Sequence, residues 1–153
     1  MDNNKLNFIS TGFLPLLNNL SAGAKGKWGK MNGQQMVEHV SGFFAISTGK
    51  IKFPLVTPIE QIPKYKEFLF SDKEFRENTK APVLPEEPLP VRHETMAESI
   101  ISLDREVKSF IDQFSNNENL LRLHPVFGEL NYEEWVLLHY KHVTHHLKQF
   151  KLI

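Results

Sequence analysis

The stretch "TMAESIISLDREVKSFIDQF" occupies residues 95–114, and its pattern decides the fold class. Met96, Ile100, Leu103, Val107, Phe110, Ile111 and Phe114 recur at three- and four-residue intervals. At about 3.6 residues per turn these positions form one apolar stripe opposite a charged face. Thr95 followed by Glu98 is a capping-box pattern, in which each side chain accepts a hydrogen bond from the other residue's backbone N–H. The stretch predicts a long amphipathic helix whose stripe must be buried against other helices.

Working outward, four more segments carry helical periodicity. In "TGFLPLLNNLSAG", Phe13, Leu16, Leu17 and Leu20 share a face, Thr11 is a candidate cap and Pro15 falls near the first turn, where proline does least harm. In "NGQQMVEHVSGFFAIS", Asn32 and Gln35 form a second capping-box pattern, followed by Met36, Val40, Phe43 and Phe44 at helical spacing. "TPIEQIPKYKEFLFS" starts with Thr57 as cap and Pro58 at the first helical position, and Pro63 predicts that it stays short. Asn131 and Glu134 open the last helix, "EEWVLLHYKHVTHHLKQF". Between the third and fourth helices, four prolines from Pro82 to Pro90 forbid a regular helix and predict an extended surface crossover. No convincing strand pair stands out, since proline interrupts "GKIKFPLV". The expected fold is all-α: a four-helix bundle with a long proline-rich crossover and a short extra helix, residues 1–153 forming a single domain.

Composition bounds the function. The 153 residues carry a formal net charge of zero and no cysteine. No basic stripe or tail points to nucleic acid or to an anionic membrane. Disulfides, thiolate ligands and a cysteine nucleophile are excluded. "MDNNKLNFIS" does not read as a signal peptide, and no apolar run approaches the ~20 residues of a membrane span. A soluble, cytoplasmic protein is expected.

Four of the seven histidines lie in "HYKHVTHHLKQF", residues 139–150. On a helical wheel, Trp135, Leu138, His146 and Gln149 fall within roughly 40° of His142, while His139 and His145 flank it by about 60° on either side. In the second helix, Met36, Phe43, Ile46 and Gln35 fall within about 60° of His39, which therefore faces the interior. A buried imidazole must satisfy two ring nitrogens, and leaving one unpaired costs roughly 1–3 kcal/mol. A divalent metal turns that cost into binding energy, and the spacing of His142 and His146 lets two imidazoles on one helical face grip one ion. Their outer ring N–H groups then need acceptors, for which Gln35, Gln149 and nearby glutamates are candidates. The plain alternative is a set of packed, hydrogen-bonded core histidines.

The remaining polar and aromatic candidates read mostly as structural. His124, before a proline, is a further candidate ligand but more simply shapes the entry to the last helix, and His93 is exposed or a neighbour of a helix cap. Trp135 is a core residue or a pocket wall. Trp28 covers one end of the domain. Lys25, Lys27 and Lys30 are a solvated loop or contacts for an anionic group. Glu38 and Glu98 are candidate general bases that nothing in the sequence places near a pocket. Glycine-rich phosphate loops, nucleophile elbows and HExxH are absent.

"WGKMNGQQMVEHV" and, much later, "HPVFGELNYEEWVLLHYKHVTHHLKQF" resemble the DinB/YfiT-like superfamily of metal-binding four-helix bundles, in a subfamily of unassigned function. The resemblance spans Trp28 to Phe150, with its weight in the two end motifs. It implies that His39, His142 and His146 are the metal ligands and that the ion is nickel, zinc or iron. Many members continue the last ligand with "RGQ". Here "LKQF" follows His146, so Gln149 is kept and the Arg-Gly is not. The resemblance further implies an enzyme acting on a small molecule by thiol-dependent transfer or by hydrolysis, with an open coordination position for a thiol or water. It also allows a non-enzymatic metal- or ligand-binding protein associated with stress. A homodimer is expected by analogy alone.

Overall fold

The computed structural model describes residues 1–153. The chain is 53% helical and carries one small sheet. Its α-helices are α1 (Asn3–Asn7), α2 (Gly33–Ser47), α3 (Ile62–Phe70), α4 (Met96–Ser115) and α5 (Tyr132–Gln149). Two strands, β1 (Arg122–His124) and β2 (Gly128–Leu130), lie between α4 and α5.

The three capping boxes form as their sequences require. In α2, α4 and α5 the side chains of Asn32, Thr95 and Asn131 accept from the N–H groups of Gln35, Glu98 and Glu134, and the reciprocal bonds are present. The stripe of α4 is buried at Leu103, Val107, Phe110 and Phe114. It joins one hydrophobic cluster with Met36, Val40 and Phe44 of α2, Trp135, Leu138, Val143 and Leu147 of α5, and Ile9, Phe13 and Leu17 from the N-terminal segment.

The all-α four-helix bundle expected from the sequence is corrected by the sheet. β1 and β2 pair antiparallel, with Arg122 opposite Leu130 and His124 opposite Gly128. Three-residue strands are too short to display the alternation by which a strand is read. The turn between them is held by the imidazole of His124, whose Nδ1 accepts from the N–H groups of Val126 (3.0 Å) and Phe127 (3.2 Å). Gly128 closes the turn at φ +77°, a conformation that suits glycine. The hairpin delivers Asn131 directly into the cap of α5.

Two other segments differ from expectation. The first helix does not run from Thr11. Asp2 caps α1 instead, a π-helical turn follows over Phe8–Gly12, and a 3-10 turn containing Pro15 follows over Leu14–Asn19. Thr11 donates its hydroxyl to the Asn7 carbonyl rather than capping. The third helix stays short, at nine residues, but it starts at Ile62 after a 3-10 turn over Ile59–Gln61, so Thr57 and Pro58 do not open it, and Pro63 lies in its first turn, where its missing N–H is unneeded.

Residues 71–95, the proline-rich crossover, contain no helix or strand. Buried and part-buried polar contacts bind its end to α2. The carboxylate of Glu38 accepts from Arg92 N–H (2.7 Å), His93 N–H (2.9 Å) and the Ser99 hydroxyl (3.0 Å). Gln34 donates to the His93 carbonyl and to Ser99. Burial by itself raises the Glu38 pKa, but these donors outweigh it and hold it below the ordinary value. Glu38 is thus a structural carboxylate and not a free base. We expect Glu38→Ala to lower the unfolding free energy by about 1–3 kcal/mol, because it strands the buried Ser99 hydroxyl and two part-buried backbone N–H groups. Chemical denaturation at pH 7 measures this.

Candidate metal centre

His39 lies two turns into α2, while His142 and His146 are successive turns of α5. Nε2 of His142 is 3.0 Å from Nε2 of His39 and 3.1 Å from Nε2 of His146. One ring nitrogen from each lies within 4.8 Å of the others. His142 and His146 are buried, and His39 is partly exposed. Phe43, one turn beyond His39, stacks on the His142 ring with centroids 3.9 Å apart.

The protonation state follows from burial. Desolvation, reinforced by the neighbouring His145, pushes His39 down to about 4. Desolvation also holds His142 and His146 well below 6.5, and the surrounding imidazoles oppose a positive charge there. All three rings are neutral at pH 7, so each has one N–H and one lone pair.

Gln149 sets the orientation of that pair on His146. Its amide nitrogen donates to the Trp28 carbonyl (2.9 Å), which turns its oxygen to Nδ1 of His146 (2.7 Å). Nδ1 must therefore donate, leaving the Nε2 lone pair aimed at His142. A single proton on His142 Nε2 cannot form two linear hydrogen bonds to rings on either side. Three lone pairs directed at one cation resolve the crowding. Neutral imidazoles without thiolate suit a borderline divalent transition metal, which bonds such nitrogens at about 2.0–2.1 Å. The group can hold a metal ion. One nitrogen departs from this pattern, as Nδ1 of His142 is buried without a partner.

The other candidates fall elsewhere. His139 is fully buried, stacked on Phe44 at 3.7 Å between ring centroids and bonded through Nε2 to Ser47 Oγ (2.9 Å). His124 serves the hairpin turn. Trp135 is a core residue whose indole N–H donates to the Arg122 carbonyl. His145 is half-buried, edge-on to His146 at 5.0 Å, with Trp28 at 5.3 Å and Phe75 at 6.0 Å. His93 is partly exposed, and its N–H and carbonyl hold the crossover. Glu98 is committed to its capping box, and Gln35 to its own box and the Leu89 carbonyl. Of the three lysines, Lys30 pairs with Glu87, and Lys25 and Lys27 are exposed. Sequence reasoning passed over Phe43 and Ser47 as partners of imidazoles. The four-residue spacing from His39 to Phe43 was the available signal for the first.

The fold and the cluster define a mostly helical protein with a three-histidine group fit for a metal ion. The chain belongs to the family described as "Protein of unknown function (DUF1569)", which matches residues 73–152. That match contains His142, His146 and Gln149. No curated protein and no solved structure matches the chain.

Burial also makes the metal-free protein sensitive to acid. The folded values near 4 for His39 and 3 for His124 lie below the ordinary 6.5. The unfolded chain therefore takes up protons first. This stabilisation is complete above about pH 6.5 and is lost as pH falls toward the folded values. We expect the urea midpoint of chelator-treated protein to drop steadily from pH 7 to pH 4. His124→Asn keeps an acceptor for the turn and should show a shallower drop.

Proposed function

We propose that the protein binds one divalent transition metal, of the nickel, zinc or iron type, through His39, His142 and His146, and uses it as a DinB/YfiT-like enzyme on a small molecule. Thiol-dependent transfer or hydrolysis is the reaction class. The observation that carries this reading is the convergence of three neutral ring nitrogens from two helices, with one of them fixed in tautomer by Gln149. A bound ion would act as a Lewis acid, easing loss of a proton from a thiol or water.

The chain's own residues supply the rest. The rigid turn of α5 keeps His142 and His146 in register, and Phe43 excludes water from one face of His142. His39 is the partly exposed member, so a small molecule approaches from its side. Trp28 and Phe75 set apolar rings against His145, which adjoins His146. The absence of cysteine and of any helix long and apolar enough to cross a membrane suits work in the cytoplasm. A metal-binding protein without catalysis is the alternative, favoured by the enclosure of His142 and His146.

Elemental analysis of untagged protein purified without added metal tests the proposal. We expect about one transition metal per chain, lost in His142→Ala and His39→Ala. His139→Phe should keep the metal, since that ring serves packing. Failure of wild-type protein to take up zinc, nickel, iron or manganese would sink the reading. Metal uptake should also raise thermal stability, with about 2.7 kcal/mol of stabilisation at a free metal concentration of 100 times Kd.

A further inference from the structure

The loop Lys25–Lys30, "KGKWGK", is closed on the end of α5, and Gln149 is its anchor. Gln149 is 3% exposed. Its backbone carbonyl accepts from Lys27 N–H at 2.7 Å, and its side-chain amide donates to the Trp28 carbonyl at 2.9 Å. Two glycines make this approach possible. A Cβ on Gly26 would stand 2.8 Å from the Trp28 carbonyl oxygen and 2.9 Å from Gln149 Cγ. A Cβ on Gly29, which sits at φ +77°, would stand 2.9 Å from Gln149 Nε2. The loop then sends the Trp28 side chain against His145, which in turn meets His146.

The Trp28 carbonyl can only accept, so the loop decides which end of the amide faces it. The other end is then an acceptor, and it takes the Nδ1–H of His146 at 2.7 Å. A chain of hydrogen bonds thus runs from the loop backbone to the tautomer of one imidazole. We propose that Gln149, clamped by the Gly26–Gly29 loop, is a positioning residue that sets the metal affinity of the histidine cluster and couples loop closure to metal occupancy. This rests on the metal reading above. An ion on Nε2 makes Nδ1–H a stronger donor, which tightens the bond to Gln149 and holds the loop. By linkage, a loosened loop weakens the ion to the same degree.

The test uses full-length protein, with zinc as the metal. Affinity is measured by competition with a chromophoric chelator. The His146 tautomer is read in metal-free protein from two-bond nitrogen–proton NMR correlations. We expect wild-type His146 to be the Nδ1–H form. Gln149→Leu should bind zinc about 10- to 100-fold more weakly at unchanged stoichiometry and show a mixed tautomer. Gln149→Glu keeps an acceptor on Nδ1 but has no donor for the Trp28 carbonyl, so it should restore the Nδ1–H tautomer with only part of the affinity, a split that a purely structural role would not give. Should Gln149→Leu fail to fold, Gly29→Ala keeps residue 149 but drives a Cβ against Gln149 Nε2 and so breaks the clamp from the loop side, and it carries the same expectation of weaker binding. Equal zinc affinity and an unchanged tautomer in the variant would overturn the positioning role alone. A wild-type protein that binds no zinc or other transition metal would overturn the metal centre, and with it the coupling.

Discussion

A buried imidazole has two ring nitrogens and, when neutral, one proton, and this constraint shapes the interior of the protein. Five of its histidines, 39, 124, 139, 142 and 146, are held neutral by desolvation. Their partners differ, and Nδ1 of His139 and of His142 has none. His124 takes two backbone N–H groups and makes a hairpin turn. His139 meets Ser47. His146 meets Gln149. For His39 and His142 the partner of each ring is another ring, and three nitrogens crowd together where protons cannot satisfy all of them. The geometry is costly as a hydrogen-bond network and favourable as a ligand set.

The rest of the fold serves to bring α2 and α5 to that meeting. Packing of α2 on α4 gives the core its bulk through Phe44, Leu103, Val107 and Phe110. The carboxylate of Glu38 lies just before His39 but belongs to the other task, fastening the crossover so that α4 starts beside α2. On α5 the β-hairpin fixes where the helix begins, and the glycine loop closes over where it ends. The site is therefore supported at both ends of the helix that supplies two of its three histidines. Loop and hairpin each depend on a glycine with positive φ, at Gly29 and Gly128.

Much of this was legible in the chain. The Asn32, Thr95 and Asn131 boxes marked three helix starts, because a cap is a local interaction written in adjacent residues. The inward direction of His39, His142 and His146 followed from helical spacing alone. The hairpin was hidden because three-residue strands leave no alternation, although "HPVFG" holds a proline and a glycine in a turn-like arrangement. The N-terminal segment was misread because its apolar positions are buried by a π turn and a 3-10 turn that happen to present them much as an α-helix would. Glu38 looked like a candidate base because no local rule reveals that Arg92 and His93, more than fifty residues away, will consume its carboxylate. Gln149 was recognised as a possible acceptor for a ligand ring, yet its hold on the loop depends on a contact with Trp28 across almost the whole chain.

The central claim is that three imidazoles from α2 and α5 share one ion. Anomalous diffraction from crystals grown with zinc, recorded on both sides of the zinc edge, tests it most directly. The account predicts one dominant site, with nitrogens of His39, His142 and His146 each at about 2.0–2.1 Å and the Gln149 amide still on Nδ1 of His146. Zinc found only on surface histidines, with the three inner rings unmoved and unliganded, would contradict it.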